Sequence, residues 1–202
     1  MDPKIHFSEQ ALEIIAHKII MTYDQSLING TPRAIPIEDI IEKQYGLNIE
    51  YQYLRKNGRL LGEIVFDDGA AIIYDRRNKR YDLIMVKAGT VLIEGTLGEE
   101  KNDGRLRFTQ AHELAHWLLH KKIYAGSGES AAYNEVADDS LEWQADYLSS
   151  AILMPLGPIK KCFYKVQTTE KSKTAIIAKM AEIFRVSKQA MKIRLESHNL
   201  IY

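Results

Sequence analysis

Apolar residues at Leu12, Ile15, Ile19 and Ile20 recur at the spacing of one helix face, with Ser8 ahead of them as an N-cap, so residues 8–28 are predicted to form an amphipathic helix. The turn-forming segment NGTPRAIP follows, and residues 36–45 read as a second helix ended by Gly46. The period then changes. Between Leu47 and Val86 the runs LNIEYQYL, LLGEIVF, AAIIYD and YDLIMV are rich in β-branched and aromatic residues. They are separated by NG, DDG and the charged RRNKR, which predicts a small, mostly antiparallel sheet. Within residues 87–107, VLIE has the character of a strand and GTLGEEKNDG that of a loop. From Thr109 the pattern is helical almost to the end, interrupted by a polar stretch from Gly126 to Ser140 and by Pro155 and Pro158. The expected class is α+β, a small antiparallel sheet packed on helices. A main domain is expected over residues 1–158 and a helical C-terminal subdomain over 159–202.

Composition narrows this picture. The chain has 202 residues, 46% of them hydrophobic, enough for a real core, and its 27 basic and 27 acidic residues balance. No apolar run approaches the roughly 20 residues that a membrane-crossing helix needs. The opening MDPKIHFSEQ lacks the pattern of a secretory signal and one cysteine cannot form an internal disulfide, so a reducing cytoplasm is expected, with no membrane partner. Neutrality hides an uneven distribution: Ile159–Tyr202 carries ten basic residues against three acidic, leaving the remainder at −7. Such asymmetry suits either an acidic partner or a solvated helical face.

The chemistry concentrates in RFTQAHELAHWLLH, residues 107–120, where His112, Glu113 and His116 form H-E-x-x-H. At 100° per residue, His112 and His116 sit about 40° apart on neighbouring turns, while Ala111, Leu114, Ala115, Leu118 and Leu119 gather on the other side. Two imidazoles at this spacing can reach one zinc ion, with Glu113 beside it as a general base rather than a ligand. A third ligand is required. His120 lies about 12 Å from His112 along the axis, too far to share an ion, and is expected to be a polar helix-end residue. Glu142 is the better candidate: in LEWQADYLSSAILMP it stands four residues before Asp146 on a predicted helix. It can offer its carboxylate to the metal, while Asp146 takes the outer nitrogen of a ligand histidine. Taken alone, this acidic pair would be a solvated helix face; beside H-E-x-x-H, the two halves complete one site.

The strings RFTQAHELAHWLLH and EWQADYLSSAILMP resemble the two core motifs of the ImmA/IrrE family of metallo-endopeptidases, RFTxAHELGHxLLH and ExxANxFAxxLLMP. A weaker likeness extends to IPIEDIIEKQYGLNI and to the tail IFRVSKQAMKIRLESHNLI. The resemblance implies a zincin-like fold and a cytoplasmic endopeptidase with one Zn2+ per chain, whose protein substrate is a helix-turn-helix transcriptional repressor. It also implies that His112, His116 and Glu142 are the metal ligands and Glu113 the catalytic glutamate. Ala115 replaces a glycine of the motif, and Asp146 stands where the family often has asparagine.

Two helices are expected over Lys173–Phe184 and Ser187–Ser197, with Ser187 as an N-cap and Ala181, Ala190 and Leu195 packing between them. The pair is helix-turn-helix-like, although Arg185 replaces the usual turn glycine. Lys188, Gln189 and Lys192 are expected to face outward. Domain closure is favoured for this pair over docking of a peptide, and both over direct contact with nucleic acid. Cys162 is expected to be buried packing. The stretch GSGESAAYNEVADDS reads equally as a mobile flap and as a surface loop, and Tyr124, Tyr133, Tyr147 and His198 are candidates for stabilising an oxyanion. The rival reading is a regulatory DNA- or repressor-binding protein with a structural or vestigial metal site.

Overall fold

The computed structural model describes residues 6–56, 60–99, 103–126 and 139–202. The chain divides into two compact units: one joins the N-terminal segment up to Pro36 with Tyr147–Tyr202, and the other is Ile37–Asp146. Compactness thus partitions the molecule differently from the expected boundary at residue 158.

Helix α1 (Glu9–Tyr23) starts where Ser8 lies extended, its hydroxyl accepting the Ala11 N–H at 3.3 Å. Leu12, Ala16, Ile19 and Ile20 form its buried stripe. It stops short of the predicted end at residue 28. Asp24 turns extended, and its carboxylate accepts both the N–H and the hydroxyl of Ser26, each at 2.8 Å. This local partner competes with the helical ladder, so only one further turn, α2 (Ser26–Asn29), follows.

In the second unit the helix expected over 36–45 is a single turn, α3 (Ile37–Asp39), running into a π-helical segment, Ile40–Gln44; Gly46 follows at φ +65°. The strands are β1 (Asn48–Gln52), β2 (Gly62–Ile64), β3 (Gly69–Asp75), β4 (Arg80–Val86) and β5 (Thr90–Glu94). They form two sheets rather than one mostly antiparallel one. β5 lies between β1, to which it is parallel, and β2, to which it is antiparallel, while β3 and β4 form a separate hairpin. The segment VLIE is therefore the central strand, and every residue from Thr90 to Glu94 is buried.

The glycine-rich GTLGE, expected to be a loop, is the short helix α4 (Gly95–Glu99). The buried Glu94 holds it: one carboxylate oxygen accepts the Thr96 N–H and hydroxyl at 3.3 and 3.2 Å, and the other accepts the Leu54 N–H at 2.8 Å. Alternation puts Tyr51, Ile93 and Gly62 on one sheet face and Leu92 on the other. Leu92 joins Leu54, Val65, Ala71 and Val86 in an apolar cluster that draws on both strands of the hairpin. Against the opposite face lies α5 (Gly104–Tyr124), tied there by Gln110, whose amide donates to Glu38 at 2.7 Å and to the Tyr51 hydroxyl at 3.3 Å. The unit ends within α6 (Asp139–Leu153), after Asp146.

The first unit resumes at Tyr147 and adds α7 (Leu156–Val166), α8 (Lys173–Phe184) and α9 (Lys188–Ser197). Ser172 and Ser187 cap the last two helices through their hydroxyls. Arg185 adopts the left-handed conformation at φ +52°, so the turn keeps its glycine-like geometry without glycine. Ala181 and Leu195 are buried, whereas Lys188, Gln189 and Lys192 are exposed, as the sequence pattern suggests. Cys162 is buried on α7 with Ile159, Phe163 and Val166. Arg194, 2% exposed, pairs with Glu13 at 2.6 Å and donates from Nε to the Met154 carbonyl at 3.1 Å. Glu13 also accepts the Tyr147 hydroxyl at 3.2 Å, so one carboxylate ties α1 to α6 and α9.

Candidate metal centre

Helix α5 carries H-E-x-x-H in the middle of its 21 residues, where end fraying does not reach. Its spacing predicts one packed face and one polar face, yet the structure buries both: Thr109, Gln110, Glu113, His116 and His120 are as enclosed as Ala111, Leu114, Ala115 and Leu119, and Leu118 alone of the predicted apolar set is only half-buried. The polar stripe is thus an interior surface.

Three side chains converge there. Nε2 of His112 and Nε2 of His116 are 2.9 Å apart; Glu142 Oε2 is 3.3 Å from the first and Oε1 3.3 Å from the second. Tetrahedral zinc with bonds of roughly 2.0–2.2 Å separates its ligand atoms by about 3.3–3.5 Å. The triangle matches that spacing to within a few tenths of an ångström. It is the group of three or more His, Cys, Asp or Glu able to hold an ion among the described residues. Two imidazoles and one carboxylate, with room left for a fourth donor, form the donor set of a catalytic zinc site, so the residues fit that group.

The outer nitrogens are held as well. Nδ1 of His112 is 2.9 Å from Asp146 Oδ1, so the i, i+4 pair of α6 divides its work: Glu142 faces the Nε2 atoms, and Asp146 orients the ring of His112 from behind. Nδ1 of His116 is 3.0 Å from Nδ1 of His120. His120 is fully buried, not the polar helix-end residue that its position suggests. Eight residues keep it too far from His112, but the i, i+4 spacing from His116 places it one turn beyond that ring, a signal present in the sequence. For His116 Nε2 to offer a lone pair, Nδ1 must carry the proton and donate it to His120.

Electrostatics follow from this packing. Burial works to lower the pKa of His112, but the hydrogen bonds to Asp146 and Glu142 outweigh it and hold the value at about 10. Hydrogen bonds from His112 and His116 press Glu142 far below the ordinary carboxylate range. Glu113, 6% exposed, is pushed up by desolvation, against the pull of the two histidines. A carboxylate with a raised proton affinity, beside a group of side chains able to hold a metal, is suited to take and return a proton.

The oxyanion candidates fare differently. Tyr124 lies about 18 Å along the helix from His112, its ring stacked on Phe66, which removes it. Tyr147 and His198 belong to the other unit, where both face Glu13. Tyr133, like most of the polar stretch suggested as a flap, lies outside the described residues.

No curated protein matches the chain. Residues 96–196, half of the sequence, match the family model Peptidase_M78, described as the IrrE N-terminal-like domain. That segment contains α5, with its two histidines and buried glutamate, and all of α6 with Glu142 and Asp146. The chain belongs to this family of peptidases.

Proposed function

We propose that the protein is a zinc-dependent endopeptidase of zincin-like fold that works in the cytoplasm and cleaves a protein substrate, a helix-turn-helix transcriptional repressor. The observation that carries the catalytic part is the triangle of His112, His116 and Glu142 donor atoms, 2.9–3.3 Å on a side, with the buried Glu113 between the two histidines in sequence. When bound, zinc supplies Lewis acidity, lowering the pKa of water and polarising a peptide carbonyl. His112, His116 and Glu142 hold the ion, and Asp146 and His120 fix the two imidazoles in the ligating orientation. Glu113 accepts the proton of the attacking water and delivers it to the departing amine nitrogen. The repressor as substrate rests on the resemblance of the two motifs and on family membership.

The test is co-expression with candidate repressors and detection of cleavage fragments. Cleavage that a chelator abolishes and zinc restores is expected. Glu113→Gln should keep its metal and lose roughly 10²–10⁴-fold in rate, the amount that a positioned base contributes. Equal activity in that variant would remove the base assignment. Salt-sensitive retention on DNA without cleavage would favour the rival regulatory reading, to which the exposed Lys188 and Lys192 would then belong.

A further inference from the structure

Strand β2 opens with a glycine that its backbone does not require. Gly62 is not among the residues at positive φ, and it is paired with Ile93 in the sheet, where glycine offers no side chain to pack and is ordinarily unfavourable. What it meets explains it. A Cβ at this position would lie 2.7 Å from Glu113 Oε1, 3.0 Å from Glu113 Cγ and 2.7 Å from the Thr109 methyl. Any side chain at residue 62 therefore competes with the Glu113 carboxylate for the same space.

From this we infer that Gly62 is a positioning residue for the base: its bare backbone is the wall against which the Glu113 carboxylate is set. The inference rests on the reading of Glu113 as the base. The strand cannot easily retreat, because Gly62 pairs with β5 and the neighbouring Leu61 carbonyl accepts the Glu94 N–H at 2.8 Å. The helix is pinned by Gln110. The part free to give is the end of the Glu113 side chain, so a methyl at 62 displaces the carboxylate and leaves His112, His116 and Glu142 where they are. Thr109 forms the other wall, and removing its methyl should return part of the room.

The experiment uses the full chain loaded with zinc and a quenched-fluorescent peptide selected from a random library by the wild-type protein. For Gly62→Ala, kcat should fall by about 10²-fold, the scale on which an ångström of misplacement acts. KM should stay within about twofold and zinc content should not change. Thr109→Ser added to Gly62→Ala should recover part of kcat. Wild-type kcat in Gly62→Ala overturns the inference, as does loss of zinc in step with activity, which would mark a structural role. If the zinc-loaded wild type cleaves neither a library peptide nor a co-expressed repressor, the peptidase reading fails and the inference falls with it. If the wild type cleaves and Gly62→Ala cleaves equally well, the inference alone fails.

Discussion

His112 shows how one residue sets opposite pH responses with and without metal. In the metal-free protein its pKa is raised from 6.5 to about 10 by Asp146 and Glu142, against the effect of burial. A group raised on folding contributes stability that is complete below its unfolded value and is lost as pH climbs through the folded one. Glu142 has the opposite sign: depressed on folding from 4.5, it contributes above that value and less as pH falls toward its folded one. The melting temperature of the chelated protein should therefore decline between pH 6.5 and 10. With zinc present the trend should reverse over the lower part of that range, because ligation needs neutral imidazoles and binding strengthens as protons leave. Parallel melting curves at pH 6 and pH 8, with chelator and with zinc, check this; a zinc-induced increment no larger at the higher pH would contradict it. His120 gives a second prediction at this scale. His120→Leu removes the acceptor for His116 Nδ1 and should weaken zinc by roughly 10–100-fold, whereas His120→Asn, which keeps an acceptor near the same point, should lose much less. Chelator competition measures both, and equal affinities in the two variants would show that the hydrogen bond does not matter.

At the scale of elements, the enclosed Arg194 on α9 pairs with the partly exposed Glu13 on α1 within the unit that holds both ends of the chain. Removing Glu13 leaves the enclosed Arg194 guanidinium without its carboxylate. Glu13→Ala should cost about 3–5 kcal/mol, while the apolar pair Arg194→Met with Glu13→Leu should lose far less than Glu13→Ala. Denaturant unfolding of the wild type and these two variants decides it, and a double variant that loses as much as Glu13→Ala would contradict it. Elements also mark where the sequence was readable. Helices with serine caps announced their starts: Ser8 and Ser187 cap as expected, and Ser172 does the same for α8. Helix ends and strand partners were harder. The break after Tyr23 depends on Asp24 capturing Ser26, and α4 depends on a buried glutamate from the preceding strand, an interaction with no local signature. Alternation told which residues share a sheet face, but not that β1 would return alongside β5 in parallel across about 40 residues, since period-two patterns carry no information about partners.

For the whole molecule, the candidate site was far more legible than the architecture around it. Helical geometry alone fixes the spacing of His112, His116 and His120, and the i, i+4 pair Glu142 and Asp146 is likewise set by one helix, so the only long-range fact needed was that the two helices meet. The division into compact units was not legible, because it depends on N-terminal residues returning to the company of the last three helices. No helix among the described residues is long and apolar enough to cross a membrane. The claim on which the rest depends is that two turns of α5 and one carboxylate of α6 grip a single ion. Elemental analysis after exhaustive dialysis tests it most directly, comparing the wild-type chain with Glu142→Ala and with His112→Ala. About one zinc per wild-type chain, falling toward zero in both variants while they remain folded, is the result expected of a three-ligand site. Stoichiometric zinc in both variants, or none in a wild-type chain dialysed against micromolar zinc, would contradict it.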